Sequence, residues 1–149
     1  MGSANPQLTS DPLDFLASVS DKIDGFLYRC LNNSDYTMLR LTSGFDRMFE
    51  RSSAEMVLSQ QSFANLIHWE DLEVIRVAVE RALKEDRRWR IAYRFRHANE
   101  RWIWVYETGG GVRDPATGKI EYLDGVVLDV NQFEECLAAK GRNLAADFT

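Results

Sequence analysis

Between Arg88 and Val130 apolar and polar residues alternate in a way that predicts three consecutive antiparallel strands. Ile91, Tyr93 and Phe95 alternate with Ala92, Arg94 and Arg96, the period of two expected of a half-buried strand. The tetrad His97-Ala98-Asn99-Glu100 reads as an exposed turn, with Asn99 best suited to a left-handed conformation. Trp102, Trp104 and Tyr106 then share one face of a second strand, and Ile103 and Val105 the other. The run Asp114 to Gly118 is a turn, because Pro115 presets its dihedral and Gly118 accepts positive φ. Ile120 to Val130 is the third strand. The run Gly109-Gly110-Gly111 does not precede a helix, so it reads as a bulge rather than a phosphate cradle.

The chain before this meander predicts elements to cover it. Residues 1–10 read as disordered or tag-derived, and 11–23 as a flanking helix with Leu13, Leu16, Val19, Ser20 and Ile23 on one side. After Gly25, Phe26 to Leu31 and Tyr36 to Thr42 read as a hairpin turning at residues 32–35. Three short helices follow, capped by Ser43, by Ser52 or Ser53, and by Ser62. They are too short to be stable alone and must be held by Phe45, Met48, Phe49, Met56, Phe63, Leu66 and Ile67. A longer helix, Glu70 to Lys84, carries a stripe of Leu72, Ile75, Val79 and Leu83, with Val74, Ala78 and Ala82 beside it. Glu70, Asp71 and Glu73 complement its dipole. Asn131 is expected to cap a last helix, Gln132 to Phe148, within which the chain stops.

Composition narrows the function classes. At 149 residues, 45% hydrophobic and 11% aromatic, the chain can bury a core as one domain. Its net charge is −5, and the arginines from Arg87 to Arg96 alternate with apolar residues as the solvated face of a strand does. That argues against nucleic acid as a partner. No apolar run reaches the roughly 20 residues that span a membrane, and no secretory signal is visible. Cys30 and Cys136 form no CxxC or metal-ligand spacing, which suits reduced thiols in a cytoplasmic protein. No catalytic constellation can be assembled around His68 and His97, so the chain reads as not an enzyme, with no metal site.

Three stretches carry a family resemblance. Leu66-Ile67-His68-Trp69-Glu70-Asp71 resembles an L-I-H-P-E-D step, with tryptophan in place of proline. Tyr93-Arg94-Phe95-Arg96 through Arg101-Trp102 to Val105 is similar to a Y-R-h-R, turn, R-W-V pattern, with Glu100 where glycine is usual. Gly125 to Asn131 resembles a closing G-x-h-x-D-I-T, with asparagine for threonine. In this order they resemble a PAS domain over residues 24–131, followed by a C-terminal signalling or linker helix at 132–149.

The resemblance implies an α+β fold: a five-stranded antiparallel sheet in the order 2-1-5-4-3, helices over one face, and flanking helices at both ends. It places a ligand cavity or a packed core between sheet and helices, lined by Tyr28, Met48, Leu66, Ile91, Tyr93, Phe95, Ile103, Val105 and Val127. Such a lining suits a small apolar or aromatic molecule, or none. Signal exit is expected at Asp129, tied to an arginine or tryptophan of a neighbouring strand, and at Asn131. A homodimer is expected through Leu13, Leu16, Val19, Ile23, Trp102, Trp104 and Tyr106, since a bare aromatic face would need a cover. The cofactor is unknown. Covalent flavin photochemistry is excluded for want of a cysteine between Phe45 and Trp69, and the tyrosine and phenylalanine of the lining argue against haem on His68. The function expected is a non-catalytic sensory and dimerisation module passing its state to a downstream output domain of the same polypeptide. The alternatives are a ligand-free interaction scaffold and a haem-based gas sensor.

Overall fold

The computed structural model describes residues 12–131, the side chain of Leu13 excepted. The expectations for residues 1–11 and for a helix over 132–148 lie outside the described residues. In chain order the elements are α1 (Pro12–Ser20), β1 (Gly25–Leu31), β2 (Met38–Leu41), α2 (Gly44–Phe49), α3 (Ser53–Leu58), a 3₁₀ turn (Ala64–Leu66), α4 (Trp69–Lys84), β3 (Trp89–Arg96), β4 (Trp102–Arg113) and β5 (Ile120–Asp129). The five strands form one antiparallel sheet in the order β2-β1-β5-β4-β3. This is the order that the resemblance implies.

Alternation decides which face the helices cover. Phe26, Tyr28 and Cys30 of β1, Trp89, Tyr93 and Phe95 of β3, Val105 of β4, and Leu123 and Val127 of β5 all point inward and are buried. Phe45 and Phe49 of α2, Phe63, and Ile75 and Val79 of α4 meet them from above. Phe49 and Phe63 flank Phe95 at 4.3 and 4.7 Å between ring centroids, and Phe45 lies edge-on to Phe26 at 5.4 Å. Rings at such spacing add specific attraction to the burial of their area. The short helices are held by this aromatic cluster, as their length requires.

Close backbone approach sets how α2 docks. A Cβ at Gly44 would overlap the carbonyl oxygen of Gly25 and lie 2.8 Å from its carbonyl carbon, so the helix can rest on β1 only with glycine there. Ser52 caps α3 by accepting from the Glu55 amide at 3.1 Å, and Ser62 Oγ accepts from Asn65 at 3.3 Å. Ser43 does not cap α2. It has helical dihedrals, and its hydroxyl donates instead to Asp21 at 2.6 Å, fastening α2 to the end of α1. Helix α4 starts one residue earlier than its acidic run suggests, because His68 Nδ1 accepts from the Glu70 amide at 3.1 Å and serves as the cap. Val74 lies off the stripe and is exposed.

One turn differs from expectation at two points. Between β3 and β4 the left-handed residue is Glu100 (φ 73°), not Asn99, whose side chain instead accepts from the Arg101 amide at 3.0 Å. His97 is 6% exposed rather than open to solvent. The end of α2 folds beneath this hairpin: Ala98 donates to Phe49 O at 2.9 Å, and Arg51 Nε to Arg96 O at 3.0 Å. At the edge of the sheet, Ile67 bridges to Phe95 and the His68 amide donates to Arg94 O at 2.9 Å. Arg94 in turn is clamped by Asp71, which accepts from its backbone amide and from two of its guanidinium nitrogens. That guanidinium holds the Asp71 carboxyl below its ordinary range.

Candidate functional site

The inward positions of β4 run Ile103, Val105, Glu107, Gly109 and Gly111. They place one carboxylic acid in the apolar layer: Glu107 is 5% exposed. Its Oε2 accepts from Tyr28 Oη at 2.9 Å and from Trp89 Nε1 at 2.7 Å, and its Oε1 accepts from Tyr93 Oη at 2.7 Å. Three strands, β1, β3 and β4, thus meet at one carboxyl group.

Two glycines let them do so. Gly109 and Gly125 face each other across β4 and β5, with Trp89 opposite the first and Tyr28 opposite the second. A Cβ at Gly109 would lie 2.6 Å from the Trp89 ring, and one at Gly125 would lie 2.5 Å from Tyr28 Cζ and Oη. Both rings therefore lie flat on bare backbone and reach Glu107 from opposite sides. The glycine run is accordingly regular strand and not a bulge. The register shift in this strand pair falls later, between Val112 and Arg113.

Electrostatics follow from burial. Desolvation raises the Glu107 pKa above its ordinary 4.5, and the three donors act against that rise by stabilising the charged form. The Tyr28 and Tyr93 hydroxyls are pushed well up, first by desolvation and then by the carboxyl beside them. The Cys30 thiol is raised for the same reasons.

Above the cluster lies a cavity of about 20 Å³, room for a single water. Its wall includes Tyr28, Cys30, Met38, Phe63, Ile67, Ile75, Trp89, Tyr93 and Glu107. Of the lining expected from sequence, Tyr28 and Tyr93 are there. Phe95, Val105 and Val127 are fully buried in the packed core, and Met48, Leu66, Ile91 and Ile103 pack at its margin. Because Val127 is fully buried within the core cluster, Val127→Trp is expected to destabilise by about 1–3 kcal/mol through overpacking. A thermal melt unchanged or raised by this substitution would reveal room that the packing does not show.

The outer face is as the alternation implied. Trp102 and Trp104 are 36% and 49% exposed, and Tyr106 is half-buried. Each tryptophan has a cover from its own cross-strand partner: Arg96 lies over Trp102 at 5.2 Å and Arg94 over Trp104 at 5.1 Å. Leu16 and Ala17 of α1 form one side of an open groove over Leu27, Leu41, Gly110 and Val126, while Phe15, Leu16 and Val19 stay exposed. Ile23 lies past the end of α1 and is half-buried.

At the end of the sheet, Val130 and Asn131 already have helical conformation, and Asp129 Oδ1 accepts from the Asn131 amide at 2.8 Å. Asp129 thus stands in the position of a helix cap, and among the described residues the partner of its carboxylate is this amide. Its backbone amide also donates to Asp24 O at 2.9 Å, joining both ends of the domain. Asp129→Ala should cost about 1 kcal/mol and Asn131→Ala markedly less, measured by urea unfolding. Equal losses would return the cap to Asn131.

Sequence reasoning missed Glu107 and Trp89. The signal was present, since residue 107 continues the inward series 103 and 105, but a lone glutamate there carries no pattern of its own.

A family model described as the PAS fold matches residues 38–127. Among solved structures, the PAS domain of a Colwellia psychrerythraea protein is similar at 17% identity, with a TM-score of 0.65 over 80% of this chain and 97% of that one. The N-terminal domain of a diguanylate cyclase with PAS/PAC sensor from Marinobacter aquaeolei is similar at 17% identity and TM-score 0.60, over 74% and 98%. A sensory box histidine kinase/response regulator from Burkholderia thailandensis gives 17% and 0.60, over 91% and 99%. No curated protein matches.

Proposed function

Because this chain belongs to the PAS fold family, we propose that it is a non-catalytic sensory module whose input site is the space around Glu107 and whose state passes to an output domain of the same polypeptide. The observation that carries the reading is a buried polar cluster set under helices too short to hold themselves. A change at the cluster reaches β1, β3 and β4 together, and through the sheet the cap at Asp129. The similar structures from a diguanylate cyclase and a sensory box histidine kinase support outputs of those kinds. A cytoplasmic location fits the free, buried Cys30 thiol. Structural roles support the non-catalytic reading: His68 caps α4, and His97 Nδ1 accepts from the Asn99 amide.

Native mass spectrometry of the intact protein against its denatured mass tests for an input molecule, and an absorbance scan tests for haem. A bound small molecule lost on Glu107→Gln supports the site; one retained at full stoichiometry removes it. Anything larger than a water would have to displace side chains of the lining, since the cavity is about 20 Å³. That small volume and the filled phenylalanine core favour the second reading, a ligand-free interaction scaffold.

We also infer a homodimer through α1 and the outer aromatic face, supported by exposed Phe15, Leu16, Val19 and Trp104. Deleting residues 1–23 is expected to shift sedimentation toward monomer or cause aggregation. A soluble monomer both before and after deletion would overturn it.

A further inference from the structure

This inference rests on the reading that the space beneath the helices is the input site. Among the described residues no cation lines that space. It receives Tyr28 and Cys30 from β1, Tyr36 from the following turn, Trp89 and Tyr93 from β3, and Leu123 from β5. Helix α4 presents Ile75 and Val79, and the segment before it Phe63 and Ile67. The titratable neighbours are thus three tyrosines and a thiol, all kept neutral by burial, with Tyr36 pushed up to about 12. Arg76 and Glu73 of α4 act on Tyr36, while Asp124 is engaged by Arg29 at 2.7 Å. Glu107 is the carboxylic acid of this cluster, its pKa raised by burial.

Its two oxygens are not equivalent. Oε2 holds the Trp89 indole, which can donate and never accept, so its hydrogen bond cannot reverse. Oε1 holds one tyrosine hydroxyl, which can do either. A proton taken from solvent onto Oε1 is donated to Tyr93 Oη, and nothing is lost at Oε2. The hydrogen that Tyr93 formerly gave to Glu107 then turns toward the cavity, where about 20 Å³ admits one water to accept it.

We propose that the ligand read by this site is a proton: uptake at Glu107 Oε1 reverses the Tyr93 hydrogen bond and hydrates the cavity beneath Phe63 and Ile67. The two charge states thereby differ in what the short helical segment rests on.

The test is an infrared titration of the whole chain, following the protonated carboxylic C=O band that shifts in D₂O and is absent from Glu107→Gln. The Trp89 indole and Ile67 methyl resonances are followed in parallel. The band is expected to appear as pH falls, with a one-proton midpoint above the ordinary carboxylate value, and both resonances to move with the same midpoint. Tyr93→Phe removes a donor to the charged form and should raise the midpoint; it also serves if Glu107→Gln does not fold. A carboxyl fixed in one form throughout the folded range overturns the proposal, as does a titration that leaves Ile67 unmoved. A fixed carboxyl beside a co-purified molecule would end the proton proposal and leave the sensory reading standing. A fixed carboxyl with nothing bound ends both.

Discussion

Glu107→Ala is expected to lower the stability of the domain by about 3 kcal/mol or more. The substitution leaves the hydroxyls of Tyr28 and Tyr93 and the indole of Trp89 without their acceptor inside an apolar layer. Each stranded buried donor costs about 1–3 kcal/mol. Glu107→Gln keeps an oxygen for two donors and offers an amide hydrogen to the third group, so it should cost far less. Wild type and Glu107→Gln also separate by pH. The folded-state pKa of Glu107 is raised above its ordinary 4.5, so the folded chain binds the proton more tightly than the unfolded chain does. The corresponding stability is fully present below that ordinary value and is lost as pH rises through the folded pKa. Urea unfolding across this window should show wild type falling relative to Glu107→Gln as pH increases. Parallel curves would mean that the folded and unfolded chains bind this proton equally tightly.

Gly44→Ala should be as damaging by a different route. A single methyl group would overlap the backbone carbonyl of Gly25, and neither partner is a side chain that can swing aside. Helix α2 would have to lift from β1, opening the Phe26–Phe45 contact on which it depends. A loss of about 3 kcal/mol or more, or failure to fold, is expected in urea unfolding. Gly118→Ala is the control. That residue is left-handed (φ 73°) with nothing near a would-be Cβ, so the cost is conformational strain alone, about 1–2 kcal/mol. Equal losses at the two positions would show that collision with Gly25 is not the cause.

Much of this fold was legible from local pattern. Alternation in Ile91–Phe95 and Trp102–Tyr106 gave both the strands and their two faces, and the three motif stretches gave the strand order. What escaped was decided by partners distant in sequence. His97 looked like a turn residue until the end of α2 folded beneath it. Ser43 had the chemistry of a cap, yet Asp21 claimed its hydroxyl. Gly109 resembled an irregularity, because nothing local reveals that Trp89 lies across it. Glu107 was hidden for the same reason: its donors stand 14, 18 and 79 positions away. The expected cavity residues were taken from the middle of the sheet, where phenylalanines proved to fill the volume.

The bridge from Ile67 to Phe95, with the His68 amide on Arg94 O, occupies hydrogen-bonding groups that an outermost strand would otherwise offer to a neighbour. At the opposite margin β2 is only four residues long, and Arg40 projects from it into solvent. Exposed strand margins are templates for cross-β growth, and short or charged ones resist it. The sheet is thus blunted on both sides against filament formation, which leaves growth strand by strand without a template at either margin.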